Sequence, residues 1–518
     1  MGLRQSVNSL RGAVFGQNHL YTTIPTGDDQ RRRDGRRRHA GFRPGPVQQR
    51  SNFYRISLAA LVFVVVLYSL IVFSQTAASA RCEDKAACSH ESQHLWGQYS
   101  PFFPVPSEID PRTPPGCELT FGLVLSRHGS RDPTARKTAL YGQLLGRLRK
   151  SVTRFAPGFE FIRDYDYDLG ADQLTLFGQE EMVRSGEAFY HRYRDLADRA
   201  EPFYRAAGSD RVVQSALNFS QGLSQARGRA DSSPADSILV LPEEPGFNNT
   251  LNHGGCPAFE GGPAADLRLR MQTTWKEAFA PSIAHRLNSR MPGANLTLDE
   301  TIYMMDLCPF TTVASPNATS TDFCRLFSQE EWESYDYFET LDKWYGYGSG
   351  NPLGPTQGVG YVNELIARLT GRPVDDGTST NSTLDSSPDT FPVDRALYAD
   401  FSHDNDMSSV YAALGLYNAT ADLPAGRKLP PHDAHGFSAA WTVPFAGRMY
   451  VEKMTCGGGG GGGEENEEEE ELVRVLVNDR VVPLQNCSAD SLGRCRLRAF
   501  VESLSFARGG GLWHACFS

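Results

Sequence analysis

Arg127-His128-Gly129-Ser130-Arg131-Asp132-Pro133 sets one imidazole between two guanidiniums, directly after the apolar run Leu119-Thr120-Phe121-Gly122-Leu123-Val124-Leu125. The run is short, uncharged and rich in β-branched and aromatic residues, which predicts a buried strand ending at the arginine. Two fixed positive charges favour the neutral form of the histidine, because protonation would add a third. A neutral imidazole is a nucleophile, and planar guanidiniums clamp phosphate oxygens. A solvated basic turn would account for a bare Arg-His-Gly tripeptide; the seven-residue pattern points instead to a phosphate site.

Working outward, Arg136–Arg149 carries Leu140, Leu144, Leu145 and Leu148 on one face and predicts a helix. A strand that delivers phosphate ligands and is followed by a helix is the α/β arrangement, with chemistry at the strand's carboxyl end. Phe203–Ala207 predicts a second strand leading to Arg211, and Ala396–Phe401 a third leading to His403-Asp404-Asn405, so three strand ends should converge. Asp266–Arg290 and Ser328–Lys343 predict helices covering the site, the second opening with a Ser328/Glu331 capping box.

These positions suit phosphoryl transfer, which asks for positioning and charge stabilisation. Arg127, Arg131 and Arg211 would hold the phosphate, with His403 as a further donor and Asn405 beside it. His128 would attack phosphorus and form a phosphohistidine. Asp404 would protonate the leaving group, provided burial keeps its carboxyl protonated at mildly acidic pH. Taken alone, a His-Asp pair is usually a surface or N-cap pair, and Arg211 beside Asp210 a salt-bridged arginine. Lys137, with Arg136, and Lys343 are candidate rim contacts for an anionic substrate; the alternative is a solvated helix face. His253 receives no chemistry. No carboxylate cluster suggests a metal, so no metal or other cofactor is expected.

The pattern around His128 resembles the signature of the histidine acid phosphatases. Arg205–Val212 and Ser402–Asn405 look like two further motifs of that family, the first adding Arg211 to the phosphate pocket. Asn249–Cys256, Met305–Phe310 and the run from Tyr345 to Ala367 are similar to secreted fungal phytases, and the likeness extends from about Cys82 to Ser518. The resemblance implies a histidine-phosphatase (phosphoglycerate-mutase-like) α/β core, about 82–165, 200–240 and 345–518. A smaller, mainly α-helical cap would span about 166–199 and 241–344. It also implies an acid phosphomonoesterase acting on phytate. Two alternatives stand beside that reading: a phosphatase acting on phosphoproteins or sugar phosphates, or an inactive membrane glycoprotein with the same fold. The intact His128, Arg127, Arg131, Arg211 and Asp404 set argues against the last. Disulfides Cys82–Cys88, Cys117–Cys456, Cys256–Cys516, Cys308–Cys324 and Cys487–Cys495 are implied in the same way, with Cys117–Cys456 expected to matter most for activity. Asp132 departs from the tyrosine often found there, Ala139 and Leu140 stand where related phytases can carry lysines, and Asp342 where they carry lysine or glycine. Fewer cations imply a broad phosphomonoester range.

The chain has 518 residues and a net charge of −10. Its first 55 residues carry eleven arginines against three aspartates, +8, which leaves −18 for the rest. Ile56–Phe73 is uncharged; eighteen residues at about 1.5 Å each give roughly 27 Å, near the thickness of a bilayer core. The expectation is a basic cytosolic tail (1–55), a signal-anchor helix (56–74) and a lumenal or extracellular domain (75–518), a single-pass type II membrane protein with no nucleic-acid partner. Cleavage after Ala78-Ser79-Ala80 and secretion is the rival, against which the apolar run is long for a signal peptide. All ten cysteines lie beyond the span, and so does every sequon: Asn218, Asn248, Asn295, Asn317, Asn381, Asn418 and Asn486. That distribution fits a glycosylated, oxidising compartment. The glycine and glutamate run at 457–471 is expected to be a surface loop before a strand at Leu472–Val477.

Overall fold

The apolar run ahead of His128 lies within a longer strand, β1 (Cys117–Arg127), whose last seven residues are all buried. The computed structural model describes residues 92–229, 238–457 and 470–518. The basic tail, the anchor helix, the Ala80 cleavage alternative, the Cys82–Cys88 pair and most of the glycine and glutamate run lie outside the described residues. Among the described residues no helix is long and apolar enough to cross a membrane.

After β1 come α1 (Ala135–Ser151), α2 (Leu176–Arg192), β2 (Phe203–Ala207), α3 (Asp210–Ala226), β3 (Ile238–Leu241), α4 (Pro263–Arg290), α5 (Leu298–Ala314), α6 (Gln329–Gly346) and α7 (Val359–Thr370). β4 (Leu397–Ser402), α8 (Asp404–Leu414), β5 (Arg448–Cys456), β6 (Glu470–Val477), β7 (Arg480–Val481), β8 (Arg494–Arg496) and α9 (Leu497–Ser503) complete the main elements. One sheet runs β3-β2-β4-β1-β5-β6-β7, with β8 also on β6. β3, β2, β4 and β1 are parallel, with Arg127 opposite Ser402 and Ala206 opposite Phe401; β5 and β6 are antiparallel. Parallel strands share a carboxyl edge, so the segments after β1, β2 and β4 emerge together, as the three predicted strand ends require. β4 is buried along its whole length, as expected of a central parallel strand covered on both faces.

Helix packing corrects the expected division into core and cap. α2 packs on α3 and the sheet: Phe189 lies 5.4 Å from Phe219 and 6.2 Å from Tyr450, ring to ring. It is a core helix, not part of a cap spanning 166–199. α1 goes the other way, with Tyr141 against Tyr303 and Phe310 of α5 at 5.7 and 6.2 Å. Its buried face is Tyr141, Leu144, Leu145 and Leu148, with Leu140 half-buried. An amphipathic pattern shows that a face will be buried, not against which layer. α4 packs on both α5 and α6; α6 carries the expected Ser328/Glu331 capping box and α5 a Thr297/Glu300 box. β6 begins at Glu470 rather than Leu472, so the acidic run ends inside a strand.

Arg205, in the motif that leads to Arg211, points away from the site. It pairs with Asp400 at 3.0 Å, opposite it in the β2–β4 register, and with Glu364 at 2.7 Å; Arg368 reaches Asp400 at 2.6 Å. Removing one member of such a buried cluster typically costs about 3–5 kcal/mol.

Four disulfides are present among the described residues, Cys117–Cys456, Cys256–Cys516, Cys308–Cys324 and Cys487–Cys495, as the resemblance implied. Cys117 and Cys456 are partners in the β1–β5 ladder, and Cys117 stands ten residues before Arg127, where β1 ends. At about 3.3 Å per residue they sit roughly 33 Å from the site. Their loss should therefore act on stability rather than chemistry. We expect a Cys117→Ser/Cys456→Ser variant to lose about 2–5 kcal/mol of stability and keep its turnover at low temperature, read from denaturant titration and initial rates.

Candidate active site

His128 is buried where β1 ends. Its N–H donates to the Ser402 carbonyl of β4 at 3.3 Å, and its own carbonyl accepts from Ala446 N at 3.0 Å. The loop that follows is pressed against the start of α2: a Cβ on Gly129 would stand 2.2 Å from the Gly178 carbonyl oxygen, and one on Gly178 1.9 Å from that of Ser130. Glycine is required at both positions. Glu181 of α2 fastens the loop with a buried carboxylate, accepting from Ser130 N at 2.8 Å and from Phe102 N at 3.1 Å. Burial raises its pKa in spite of these donors. Glutamine offers one acceptor and would turn an amide N–H toward the other donor, leaving it unpaired. We expect Glu181→Gln to lower kcat about tenfold with a smaller change in KM; unchanged kcat, KM and Tm would show that the loop is held by other contacts.

The imidazole Nδ1 lies 2.8 Å from the Gly129 carbonyl oxygen. A carbonyl only accepts, so Nδ1 carries the proton and Nε2 keeps its lone pair. Burial, then the charges of Arg127, Arg211, Arg131 and His403, hold the His128 pKa well below its usual value. Both effects favour the neutral, nucleophilic ring, as its two flanking arginines predict.

Arg127 is fully buried. One Nη donates to the carbonyls of Gln98 and, at 2.9 Å, Val443, and its guanidinium lies 4.5 Å above the Phe445 ring. Burial lowers its pKa to about 10, still far above an acidic working range. Arg131 donates to the Asp132 carbonyl at 2.7 Å, and Arg211, in the first turn of α3, lies with Nη2 3.4 Å from His403 Nδ1. Buried donors on all three are left without a hydrogen-bond partner among the described residues: Nε of Arg127, Nε of Arg131 and Nε of Arg211. Native interiors rarely leave such groups unpaired. Several cationic ones around a lone-pair nitrogen describe a seat for an anion.

His403 caps α8, its ring 5.7 Å from that of His128. Its Nε2 bonds Glu243 Oε1 at 3.0 Å, and Glu243 also accepts from Ser209 N and Oγ at 2.9 and 2.7 Å. Against the upward push of burial, the His403 and Ser209 bonds bring the Glu243 carboxyl down to about 2. With Nε2–H held by Glu243, Nδ1 is the nitrogen left to face the arginines. Sequence reasoning misses Glu243. It follows β3, a fourth parallel strand ending on the same edge, and recognising Ile238–Leu241 as a strand would have drawn attention to it.

Asp404 corrects one expectation. Its Oδ2 lies 2.8 Å from Lys343 Nζ and 3.4 Å from Arg127 Nη2. Burial raises its pKa, but the charges of Arg127 and Lys343 outweigh burial and hold the carboxyl well below the usual value. It is ionised, not kept protonated by burial. Lys343 is corrected with it. It is buried and bonded to Asp404, to Asn405 Oδ1 at 2.7 Å and to Asp342 at 3.1 Å, so it supports Asp404 and Asn405 from below rather than standing free on a rim. Lys137 is paired too, with Asp306 at 2.9 Å and Tyr99 Oη at 3.1 Å, while Arg136 is exposed. Asp132 packs half-buried against Gly170, and burial raises its pKa. All seven sequon asparagines reach the surface, Asn218 and Asn381 only partly. A cleft of about 480 Å³ leads from Arg131 and Asp404 outward between Lys137 and the cap residues Arg268 and Lys276.

A neutral histidine ringed by arginines with open donors, at the carboxyl edge of this sheet, defines a phosphate-handling site of the histidine phosphatases. The chain belongs to that family: residues 118–478 match the histidine phosphatase superfamily (branch 2). Among curated relatives it is 48% identical over 439 residues to Phytase A of Emericella nidulans, covering 83% of this chain and 92% of that one. It is 48% identical over 440 residues to Phytase A of Aspergillus oryzae, with the same coverage of 83% and 92%. Solved structures share the fold. The phytase from D. castellii superposes with a TM-score of 0.66 at 20% identity, over 81% of this chain and 86% of its own. The Bifidobacterium longum multiple inositol polyphosphate phosphatase, in complex with phosphate, gives a TM-score of 0.56 at 16% identity, over 80% and 97%.

Proposed function

We propose that this protein is an acid phosphomonoesterase of the 3-phytase class, hydrolysing phytate through a phosphohistidine. The observation that carries the reading is the set of unpaired donors on Arg127, Arg131 and Arg211 around the lone pair of His128 Nε2. The relatives named Phytase A, at 48% identity over most of both chains, support the substrate.

The scissile phosphate sits among the three arginines, with the His403 ring, held through Nε2 by Glu243, beside it. His128 Nε2 forms a P–N bond as the ester P–O bond breaks. The leaving oxygen takes a proton from Asp404. Water then attacks phosphorus and passes its proton to the Asp404 carboxylate. The P–N bond breaks, and His128 returns to its neutral form. The Asp404 carboxylate acquires that proton because the bound dianion neutralises the arginines and adds its own negative charge, raising the Asp404 pKa.

The cations beside the cleft are each paired: Lys137 with Asp306, Arg268 with Asp342, Lys276 with Asp299 and Lys343 with Asp404. That pairing, with −18 on residues 56–518, favours a phosphatase of broad range over one devoted to a highly anionic ligand. A substrate panel at about pH 5 on the purified protein tests both points. Phytate and small aryl phosphates should both be turned over, without dependence on added metal. Turnover of aryl or sugar phosphates with none of phytate would establish the non-phytase reading.

For location, a signal-anchored type II topology remains the reading of Ile56–Phe73, with the catalytic domain lumenal or extracellular. The disulfides and the surface sequons support an oxidising compartment. Sequencing the mature amino terminus decides the point, because a start at Arg81 would mean a cleaved signal.

A further inference from the structure

The opposite edge of the sheet holds a second cleft, of about 1380 Å³. Its floor is the early part of β1 at Thr120 and Phe121, Ala396 before β4, and the end of β5 from Lys453 to Cys456. The end of α7 and the start of α9 form its sides. Thr120 precedes Arg127 by seven residues along a strand, roughly 23 Å, so this cleft is not an extension of the catalytic one.

Among the described residues its charges do not balance. Lys453 pairs with Glu471 at 2.7 Å, Arg496 with Glu470, Arg498 with Glu502 at 2.8 Å, and Arg368 with the buried Asp400 at 2.6 Å. Arg372, Arg395 and Arg508 also line the cleft; all three are exposed, and none has an acidic partner among the described residues. Among the described residues one unpaired lining carboxylate, Asp394, stands against them. Three guanidiniums without an acidic partner among the described residues line one concavity in a chain whose residues 56–518 sum to −18. Like charges gathered in a concave surface focus a positive potential that a multiply charged anion relieves. The planar forks of arginine match phosphate oxygens in pairs, and three separate forks call for a ligand with several such groups.

We propose that this cleft is a second anion site that takes a small polyphosphorylated ligand, independent of the catalytic centre. Arg372, Arg395 and Arg508 supply the recognition, and the paired residues around them keep the walls in place.

Calorimetry of the whole protein with inositol hexasulfate, which cannot be dephosphorylated, should show two sites, and the Arg372→Glu/Arg395→Glu/Arg508→Glu variant one. Single alanine replacements should weaken the second site about tenfold each, the scale of a lost charged hydrogen bond. Aryl phosphate turnover should stay unchanged in all of them. Tripolyphosphate as a second probe distinguishes a linear from a ring-shaped ligand, and the stronger binder names the class. One site in the unaltered protein, or two in the triple variant, would overturn the proposal. Should the triple variant fold poorly, phenylglyoxal labelling of the unaltered protein serves instead: the ligand should protect Arg372, Arg395 and Arg508, and unprotected labelling counts against the site. Because the catalytic arginines are read separately by turnover, failure here leaves the proposed activity untouched, and the reverse holds as well.

Discussion

His128→Ala is expected to lower turnover by about 10⁵-fold or more, the scale seen when a covalent nucleophile is lost. The arginines would still bind phosphate but have nothing to transfer it to. His403 cannot take over, since its Nε2 is held by Glu243 and its Nδ1 faces Arg211. The variant should fold, because the loop keeps its backbone bonds to Ser402 and Ala446 and no charge is left unpaired. Competitive inhibition by inorganic phosphate should persist in it. Unaltered enzyme mixed with labelled substrate and quenched in alkaline denaturant, where a P–N bond survives, should carry label on His128. Label on serine, or substantial turnover by the variant, would end the phosphohistidine mechanism.

Asp404→Asn should slow turnover by about 10²–10⁴-fold, the usual scale for a lost general acid, while phosphate binds at least as well. The asparagine removes the anion that competes with substrate for Arg127. The pH dependence gives a sharper test. As the general acid, Asp404 must be protonated in the substrate complex, so its pKa there sets the basic limb of kcat. Lys343 stabilises the ionised form from 2.8 Å away, so Lys343→Met should raise that pKa and move the limb to higher pH. Asp404→Asn should abolish it. A limb that stays in place in both variants would assign the acid elsewhere. Stability and activity depend on opposite protonation states of this group. The folded pKa of Asp404 lies below its unfolded value, so its contribution is present above the ordinary carboxylate range and is lost as pH falls through the folded value. The destabilisation of Asp404→Asn, read from Tm, should therefore be largest near neutrality and fade in acid.

Much of this site is legible in the amino-acid sequence, because its parts are local. A short apolar run that ends in Arg-His-Gly carries its own strand, its own turn and the charges that keep its histidine neutral. Parallel pairing then needs only the rule that such strands present their carboxyl ends together. That rule brings Arg211, His403 and Asp404 to the same edge, where the fold places them. The Ser328/Glu331 cap is equally local and equally readable.

What the sequence alone determined about this protein is thus the family, the strand ends and the residue types that meet at them. Tertiary structure decided the rest, for one recurring reason: the chemistry of a charged group depends on which opposite charges lie within about 4 Å of it, and those come from distant segments. Lys343 reads as a free cation on a helix until α6 and α8 are packed together and its Nζ meets Asp404 and Asn405. Asp404 reads as a buried acid until two cations ionise it. Glu243 is one glutamate among many until β3 takes the sheet edge and points it at His403. The exchange of α1 and α2 between core and cap has the same origin, since an apolar stripe records that a face is buried while the identity of its partner is settled only by assembly of the whole sheet.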